Sequence, residues 1–143
     1  MATRNGSAEW NGDLQSGSGT VTVGDSAWTG NYSFKSRFED GEGTNPEELL
    51  SAAHAGCFTM ALSLLLGNEG HEPERLDTKA KAELRNVDGQ PTITKMHLVV
   101  EGKVDGIDQD AFQEAAEKAK AGCVISRALA GVDEITLEAK LLD

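Results

Sequence analysis

Three residue types in this sequence could carry out chemistry together. Cys57 and Cys123 are the two cysteines, His54 lies three residues before the first of them, and Arg37 lies in the acidic, glycine-rich stretch RFEDGEGTN. A cysteine thiolate is a strong nucleophile, and a nearby cation activates it. From composition alone, the favoured interpretation of each cysteine is a small buried hydrophobic residue. The elements that position the two thiols therefore have to be considered.

Composition and charge exclude some classes of partner. Lys and Arg number 13 and Asp and Glu 24, so the formal net charge is −11, which disfavours nucleic acid and anionic membranes as partners. The N-terminal segment MATRNGSAEWNGDL has no apolar stretch typical of a signal peptide. We therefore expect a cytoplasmic protein with reduced thiols. The histidines and cysteines show no metal-ligand spacing, so we expect no metal site.

The segment PEELLSAAHAGCFTMALSLLL, residues 46–66, predicts a helix with Cys57 near its middle. Asn45 suits the N-cap, Pro46 suits the first helical position, and acidic residues follow in the first turn. The rest of the segment is apolar on every side, which predicts a helix buried on every side. One small domain rarely provides that much cover, so the pattern favours a partner subunit. Interruptions by His, Ser, Thr and Gly argue against a membrane span.

The whole chain, residues 1–143, predicts a single α+β domain with this long buried helix packed against antiparallel sheets. The other predicted elements are a three-stranded antiparallel meander within 7–38, a polar loop at 37–45, strands at 77–87 and 92–104 joined by an Asp88–Gly89 turn, a helix from an Asp108 cap to Gly122, a short helix at 123–131 and a strand at 134–142.

Two segments resemble one known family. SRFEDGEGTNPEELLSAAHAGCFTMALSL, residues 36–64, looks like the centre of the osmotically inducible protein C (OsmC) proteins, and KAKAGCVISRAL, residues 118–129, resembles their second cysteine motif. The spacing of the two motifs matches as well, so the resemblance covers nearly the whole chain. The form AAHAGC is closer to OsmC proper than to the sister organic hydroperoxide resistance (Ohr) proteins. Val124 is a departure, because many members have proline there.

The resemblance implies a cysteine-based thiol peroxidase that reduces organic hydroperoxides and hydrogen peroxide. Cys57 would be the peroxidatic cysteine, which becomes a sulfenic acid, and Cys123 the resolving cysteine, which forms a disulfide with it. Arg37 and Glu47 match the charged pair beside the reactive thiol. The implied partners are the peroxide, a dithiol reductant (a lipoylated protein in this family) and a second copy of the chain in an intertwined two-fold homodimer. No metal, haem or flavin cofactor is implied.

Helix geometry adds a prediction about where the charged pair acts. A free thiol is mostly protonated at neutral pH, and an arginine, which keeps its charge, stabilises a thiolate. Glu47 lies ten residues before Cys57 on the predicted helix, about 15 Å along its axis. A carboxylate at that distance cannot easily organise an arginine at the same chain's thiol. We therefore expect Arg37 and Glu47 of one chain to meet Cys57 of the other.

Two other functions remain open. The chain could be a non-catalytic, stress-related protein that binds a small molecule or senses redox state through its thiols. A hydrolase using Cys57 and His54 is a more distant alternative, since no orienting third residue is evident. For His54 the favoured interpretation is a buried histidine with satisfied hydrogen bonds. Apolar side chains such as Phe34 and Phe38 could form a pocket for an alkyl tail, although core packing is the favoured role of each.

Overall fold

The computed structural model describes residues 2–143 and divides them into a first unit that ends at Leu49 and a second from Leu50 to Asp143. The elements, in chain order, are β1 (Gly6–Asn11), β2 (Ser18–Val23), β3 (Trp28–Tyr32), α1 (Phe34–Phe38), α2 (Pro46–Asn68), β4 (Arg75–Val87), β5 (Gln90–Lys103), α3 (Gln109–Gly122), α4 (Val124–Ala128) and β6 (Glu134–Leu141). The predicted α+β class is confirmed. The single domain over residues 1–143 stays a prediction.

The first unit contains the predicted antiparallel meander, in the order β1-β2-β3. The meander ends at Tyr32, and the prediction of strand up to residue 38 was wrong. Ser33 caps a short helix instead, because its hydroxyl accepts a bond from the Ser36 N–H while the Ser36 hydroxyl accepts one from the Ser33 N–H. Arg37 consequently lies in α1 rather than in the predicted loop.

Helix α2 begins where the capping signal predicted. The Asn45 side-chain oxygen accepts a bond of 2.8 Å from the Glu48 N–H. Four side chains at a spacing of four residues form one fully buried stripe: His54, Phe58, Leu62 and Leu66. On other faces Met60 is 77% and Leu64 64% exposed. Within one chain the other elements therefore cover a single face of α2, and burial on every side, which relied on a partner subunit, stays a prediction.

Among residues 2–143, α2 alone is long and apolar enough to be a candidate membrane span, with a mean hydropathy of 1.7. Length and composition of this kind are also typical of the core helix of a globular protein, so the indication is weak.

The second unit contains a three-stranded sheet in the order β4-β5-β6. β4 and β5 are antiparallel and meet at the predicted turn, where Asp88 (φ 51°) and Gly89 (φ 83°) both adopt the left-handed conformation of a type I′ hairpin. β6 runs parallel to β5, so the prediction of purely antiparallel sheets was wrong. The reason is the intervening α3 and α4, since a crossover of this length returns the chain to the same end of the sheet.

One hydrophobic cluster holds the second unit together. The buried stripe of α2 packs with Leu98 and Val100 of β5 and with the apolar face of α3, which includes Phe112. Asp108 caps α3 by accepting a bond of 2.8 Å from the Ala111 N–H, as predicted. The cluster therefore fixes α2 against the α3–α4 region, and these elements carry the two cysteines.

We expect Leu98→Ala to lower the free energy of unfolding by about 2–5 kcal/mol, because Leu98 is fully buried and the smaller side chain leaves a cavity. Urea unfolding followed by circular dichroism measures this change. Val87→Ala is the control, since Val87 is 42% exposed at the end of β4 and should cost much less. Equal losses in the two variants would contradict the assigned core.

Candidate active site

Arg37 and Glu47 form a bidentate ion pair in the first unit. The Arg37 Nη2 lies 2.7 Å from Glu47 Oε1, and Nε lies 3.2 Å from both carboxylate oxygens. The Glu47 side chain is 13% exposed and that of Arg37 36%. The guanidinium carbon also lies 5.1 Å from the centre of the Phe38 ring. The guanidinium is therefore held in one orientation by a fork-like pair and an aromatic face.

Two further hydrogen bonds hold α1 against the start of α2. The Ser36 hydroxyl lies 2.7 Å from the Thr44 carbonyl oxygen, and the Asn45 side-chain amide donates to the Ser36 carbonyl at 2.9 Å. Arg37 follows Ser36, and Glu47 lies two residues after Asn45. The same contacts therefore place the last turn of α1 next to the first turn of α2, where the pair forms.

An open cavity of about 420 Å³ lies beside Arg37 in the first unit. Most of its wall is apolar or aromatic, with Trp10, Leu14, Tyr32, Phe34, Arg37 and Phe38 among the lining residues. The Phe34 and Phe38 rings are 5.0 Å apart. A mostly apolar cavity with one charged group is typical of a small-molecule site. The arrangement can accept an apolar group with a polar end next to the guanidinium.

The second unit contains both cysteines as free thiols, with Cys123 inside its hydrophobic cluster and Cys57 packed against that cluster. Cys57 is half-buried on α2, and Cys123 is buried at the junction of α3 and α4. Cys123 caps α4, since its sulfur accepts a bond of 3.3 Å from the Ser126 N–H. Of the two thiols, Cys57 is therefore the more accessible.

His54 is bonded to Ser126 rather than to a cysteine. Its Nε2 lies 2.8 Å from the Ser126 Oγ, and the Cys123 thiol donates to the same oxygen at 3.1 Å. The other ring nitrogen of His54, Nδ1, is buried with no hydrogen-bond partner among residues 2–143. Burial lowers the pKa of His54 below the ordinary histidine value. The prediction of a fully satisfied histidine was therefore wrong at one nitrogen.

Sequence reasoning did not select Ser126. Its signal is a capping one, because a residue at the third position of a helix donates its N–H to the N-cap side chain, here that of Cys123. No such local signal indicates the bond to His54, which is 72 residues away in sequence. Among the described residues, no three His, Cys, Asp or Glu side chains are grouped so that they could hold a metal ion.

Comparison of the sequence with known proteins identifies a family. The model for the OsmC-like protein family matches residues 39–138. The chain is 47% identical to Peroxiredoxin OsmC of Escherichia coli (strain K12) over 139 residues, which cover 96% of each chain. It is 30% identical to Organic hydroperoxide resistance protein OhrA of Bacillus subtilis (strain 168) over 66% of each chain.

Solved structures share the fold at low sequence identity. An OsmC-like protein from Mycoplasma pneumoniae matches with a TM-score of 0.78 and 16% identity over 99% of each chain. An organic hydroperoxide resistance protein OsmC from Legionella pneumophila matches with a TM-score of 0.72 and 19% identity over the whole of both chains. Together with the family model and the 47% identical relative, the resemblance of the two cysteine segments is confirmed, and this chain belongs to the OsmC-like protein family.

Proposed function

We propose that residues 1–143 form one OsmC-like domain that acts as a cysteine-based peroxidase on organic hydroperoxides and hydrogen peroxide. The observation that carries the proposal is the placement of two free thiols, Cys57 and Cys123, at one hydrophobic cluster. A chain with 47% identity over nearly its full length is named a peroxiredoxin, and another relative is named for organic hydroperoxide resistance. One thiolate can reduce a peroxide to leave a sulfenic acid, and a second thiol nearby can condense with that sulfenic acid to a disulfide.

In the first step, we assign the attack on the peroxide to Cys57, the more accessible thiol. Its thiolate attacks one peroxide oxygen, so that a sulfur–oxygen bond forms, the oxygen–oxygen bond breaks and the alcohol oxygen leaves with the electron pair. The sulfur is thereby oxidised to sulfenic acid. In this proposal the Arg37 guanidinium, which Glu47 orients, stabilises the thiolate and donates a hydrogen bond to the leaving oxygen, which takes a proton from solvent to become the alcohol. The apolar cavity beside Arg37 takes the alkyl group.

In the second step, we assign resolution of the Cys57 sulfenic acid to Cys123. Its sulfur attacks the sulfur of the Cys57 sulfenic acid, a disulfide forms and water leaves. A dithiol then restores both thiols by exchange, and in this proposal the donor is a lipoylated protein. The cycle fits a cytoplasmic location, where reductants of this kind are available.

The proposed active form is an intertwined two-fold homodimer with composite sites. Helix α2 leaves Met60 and Leu64 exposed, and an apolar face of this kind is suited to a second copy of the chain. Glu47 precedes Cys57 by ten residues in sequence, and ten residues of an α-helix correspond to about 15 Å of rise. We therefore assign the Arg37–Glu47 pair of one chain to the thiol of its partner.

We expect Cys57→Ser to abolish consumption of cumene hydroperoxide, because a hydroxyl cannot replace the thiolate. Cys123→Ser should still react once and then accumulate Cys57 sulfenic acid, which dimedone labels for mass spectrometry. Reduced wild-type protein should lose two free thiols per chain in the same assay. Full activity of Cys57→Ser, or slow loss of thiols in the wild type, would contradict the peroxidase and favour a redox-sensing or binding protein.

Arg37→Met should lower the rate constant for Cys57 oxidation by about 10²–10³-fold, the usual effect of losing a donor to a developing oxyanion. Stopped-flow mixing with cumene hydroperoxide under pseudo-first-order conditions measures this rate constant. Arg75→Met is the matched control, since Arg75 also forms a carboxylate pair, with Asp77, but its side chain is 69% exposed. A similar rate constant for the wild type and both variants would remove Arg37 from the mechanism.

Subunit complementation tests the composite site. Arg37→Met and Cys57→Ser chains, each nearly inactive alone, are co-expressed with different tags and the mixed dimer is purified. In a composite arrangement the mixed dimer has one complete site out of two, so the purified mixed dimer should recover about half of the wild-type activity per chain. If Arg37 acts on the Cys57 of its own chain, the mixed dimer has no complete site and no activity should return.

A further inference from the structure

The Cys123 thiol is part of a chain of buried hydrogen bonds that ends on His54. We propose that Ser126 and His54 form a proton relay for disulfide formation, in which Ser126 passes the Cys123 thiol proton to His54 as Cys123 attacks oxidised Cys57. This inference rests on the proposed peroxidase function and adds the fate of one proton to it.

The geometry of the three groups fits the direction of transfer. The Cys123 thiol donates to the Ser126 oxygen at 3.1 Å, and that oxygen lies 2.8 Å from His54 Nε2. If the Ser126 hydroxyl donates to Nε2, the two bonds form a continuous path for the proton. Cys123, Ser126 and His54 are 3%, 6% and 0% exposed, so the path is shielded from solvent.

A buried resolving thiol needs such a base. The thiolate is the nucleophile, yet a full negative charge is costly to form in an apolar cluster. A base that accepts the proton during the attack avoids a separate, free thiolate. His54 suits this role because burial lowers its pKa, so that the imidazole stays neutral, with a free lone pair, at neutral pH.

Few charged groups flank the imidazole along these elements. The Cys57 thiol lies three residues further along α2, the Cys123 thiol lies beyond Ser126, and the guanidinium of Arg127, next to Ser126, is exposed. The solvent-exposed charge has little influence on the buried ring. Burial is therefore the chief reason that the pKa of His54 is lowered and its imidazole stays neutral.

The unpartnered nitrogen of His54 is the second observation in favour of the relay. When Nε2 accepts from Ser126, the ring proton is on Nδ1, which has no acceptor among residues 2–143. A buried donor without a partner loses its hydration without compensation, which is destabilising. An apolar side chain in the α2 stripe would avoid that cost, as Phe58 and Leu62 do. A proton-accepting role accounts for a histidine at this position.

With the relay, the bonds, electrons and protons of the resolution step balance. The Cys123 sulfur forms the S–S bond and is oxidised, while the Cys57 sulfur is reduced as its bond to oxygen breaks. The oxygen leaves as hydroxide and needs one proton to become water, which equals the proton that His54 has taken up. His54 lies one turn before Cys57 on the same helix, where residues three apart are neighbours. The imidazolium can therefore return the proton to the departing oxygen.

Ser126→Ala separates the two steps of the cycle. Reduced protein is mixed with cumene hydroperoxide, quenched with dimedone at intervals, and the sulfenic acid and disulfide forms are counted by mass spectrometry. We expect Cys57 oxidation at the wild-type rate and disulfide closure slowed by about 10²-fold at neutral pH, the usual effect of losing a general base. His54→Gln should behave in the same way, because an amide cannot accept the proton.

The pH profile distinguishes a relay from a structural role. Wild-type closure should change little between about pH 6.5 and 8, because the relay removes the proton during the attack. In Ser126→Ala no base takes the proton during the attack, so hydroxide must remove it and closure should become about tenfold faster for each pH unit. A variant that merely packs poorly would be slower at every pH without this slope.

Two matched variants complete the test. Ser126→Thr keeps the hydroxyl and should restore rapid, pH-independent closure. Thr59→Val removes a partly buried hydroxyl from α2. The oxygen of that hydroxyl lies 2.6 Å from both the Ala55 carbonyl oxygen and Thr78 Oγ1. This variant should leave the rate of disulfide closure unchanged.

Closure at the wild-type rate and with a flat pH profile in both Ser126→Ala and His54→Gln would overturn the relay while leaving the peroxidase intact. Absence of Cys57 sulfenic acid in Cys123→Ser, together with absence of a Cys57–Cys123 disulfide in the oxidised wild-type protein, would instead overturn the proposed function.

Discussion

Burial of one stripe of α2 is the constraint on which the second unit depends. Phe58, Leu62 and Leu66 repeat every four residues and pack against β5 and α3, so the helix has one possible rotation about its axis. That rotation places Cys57 at the edge of the buried face and His54 within it. The same packing brings the α3–α4 junction, with Cys123, into the cluster. The position of the thiols is thus a consequence of apolar packing.

In the first unit, hydrogen bonds fix the position of the Arg37 guanidinium. Its Arg37–Glu47 pair has two parallel contacts and a largely buried carboxylate, whereas the Arg75–Asp77 pair has one contact with both side chains widely exposed. Exposed pairs contribute little because water and salt screen them, while a forked and partly buried pair has a defined geometry. The short helix α1, closed by the Ser33–Ser36 capping box, determines where the guanidinium lies.

Two polar residues inside the second unit's core are linked to each other. His54 and Ser126 are its buried polar residues, and they form one hydrogen-bonded chain with the Cys123 thiol. Buried polar networks are costly when they are incomplete, because each unpaired group loses its hydration without compensation. The open Nδ1 of His54 is such a group. An incomplete network next to the Cys123 thiol does not favour stability, and the proposed proton relay gives it a role.

The sequence by itself determined the features whose causes are local. The Asn45 and Asp108 caps and the Asp88–Gly89 turn act within three or four residues, so the start of α2, the start of α3 and the β4–β5 hairpin could be predicted. The two cysteine segments likewise indicated the family and the candidate residues, since both motifs are continuous in sequence.

Only the tertiary structure decided the features that join distant residues. The direction of β6, the single buried face of α2 and the bond from His54 to Ser126 each depend on how segments dozens of residues apart pack together. The periodicity of α2 could not select its buried face, because apolar residues occur on every side. Helix α1 was missed because a five-residue helix is too short to show a period. Local hydrogen bonds are encoded within a few residues, whereas burial is a property of the whole folded chain.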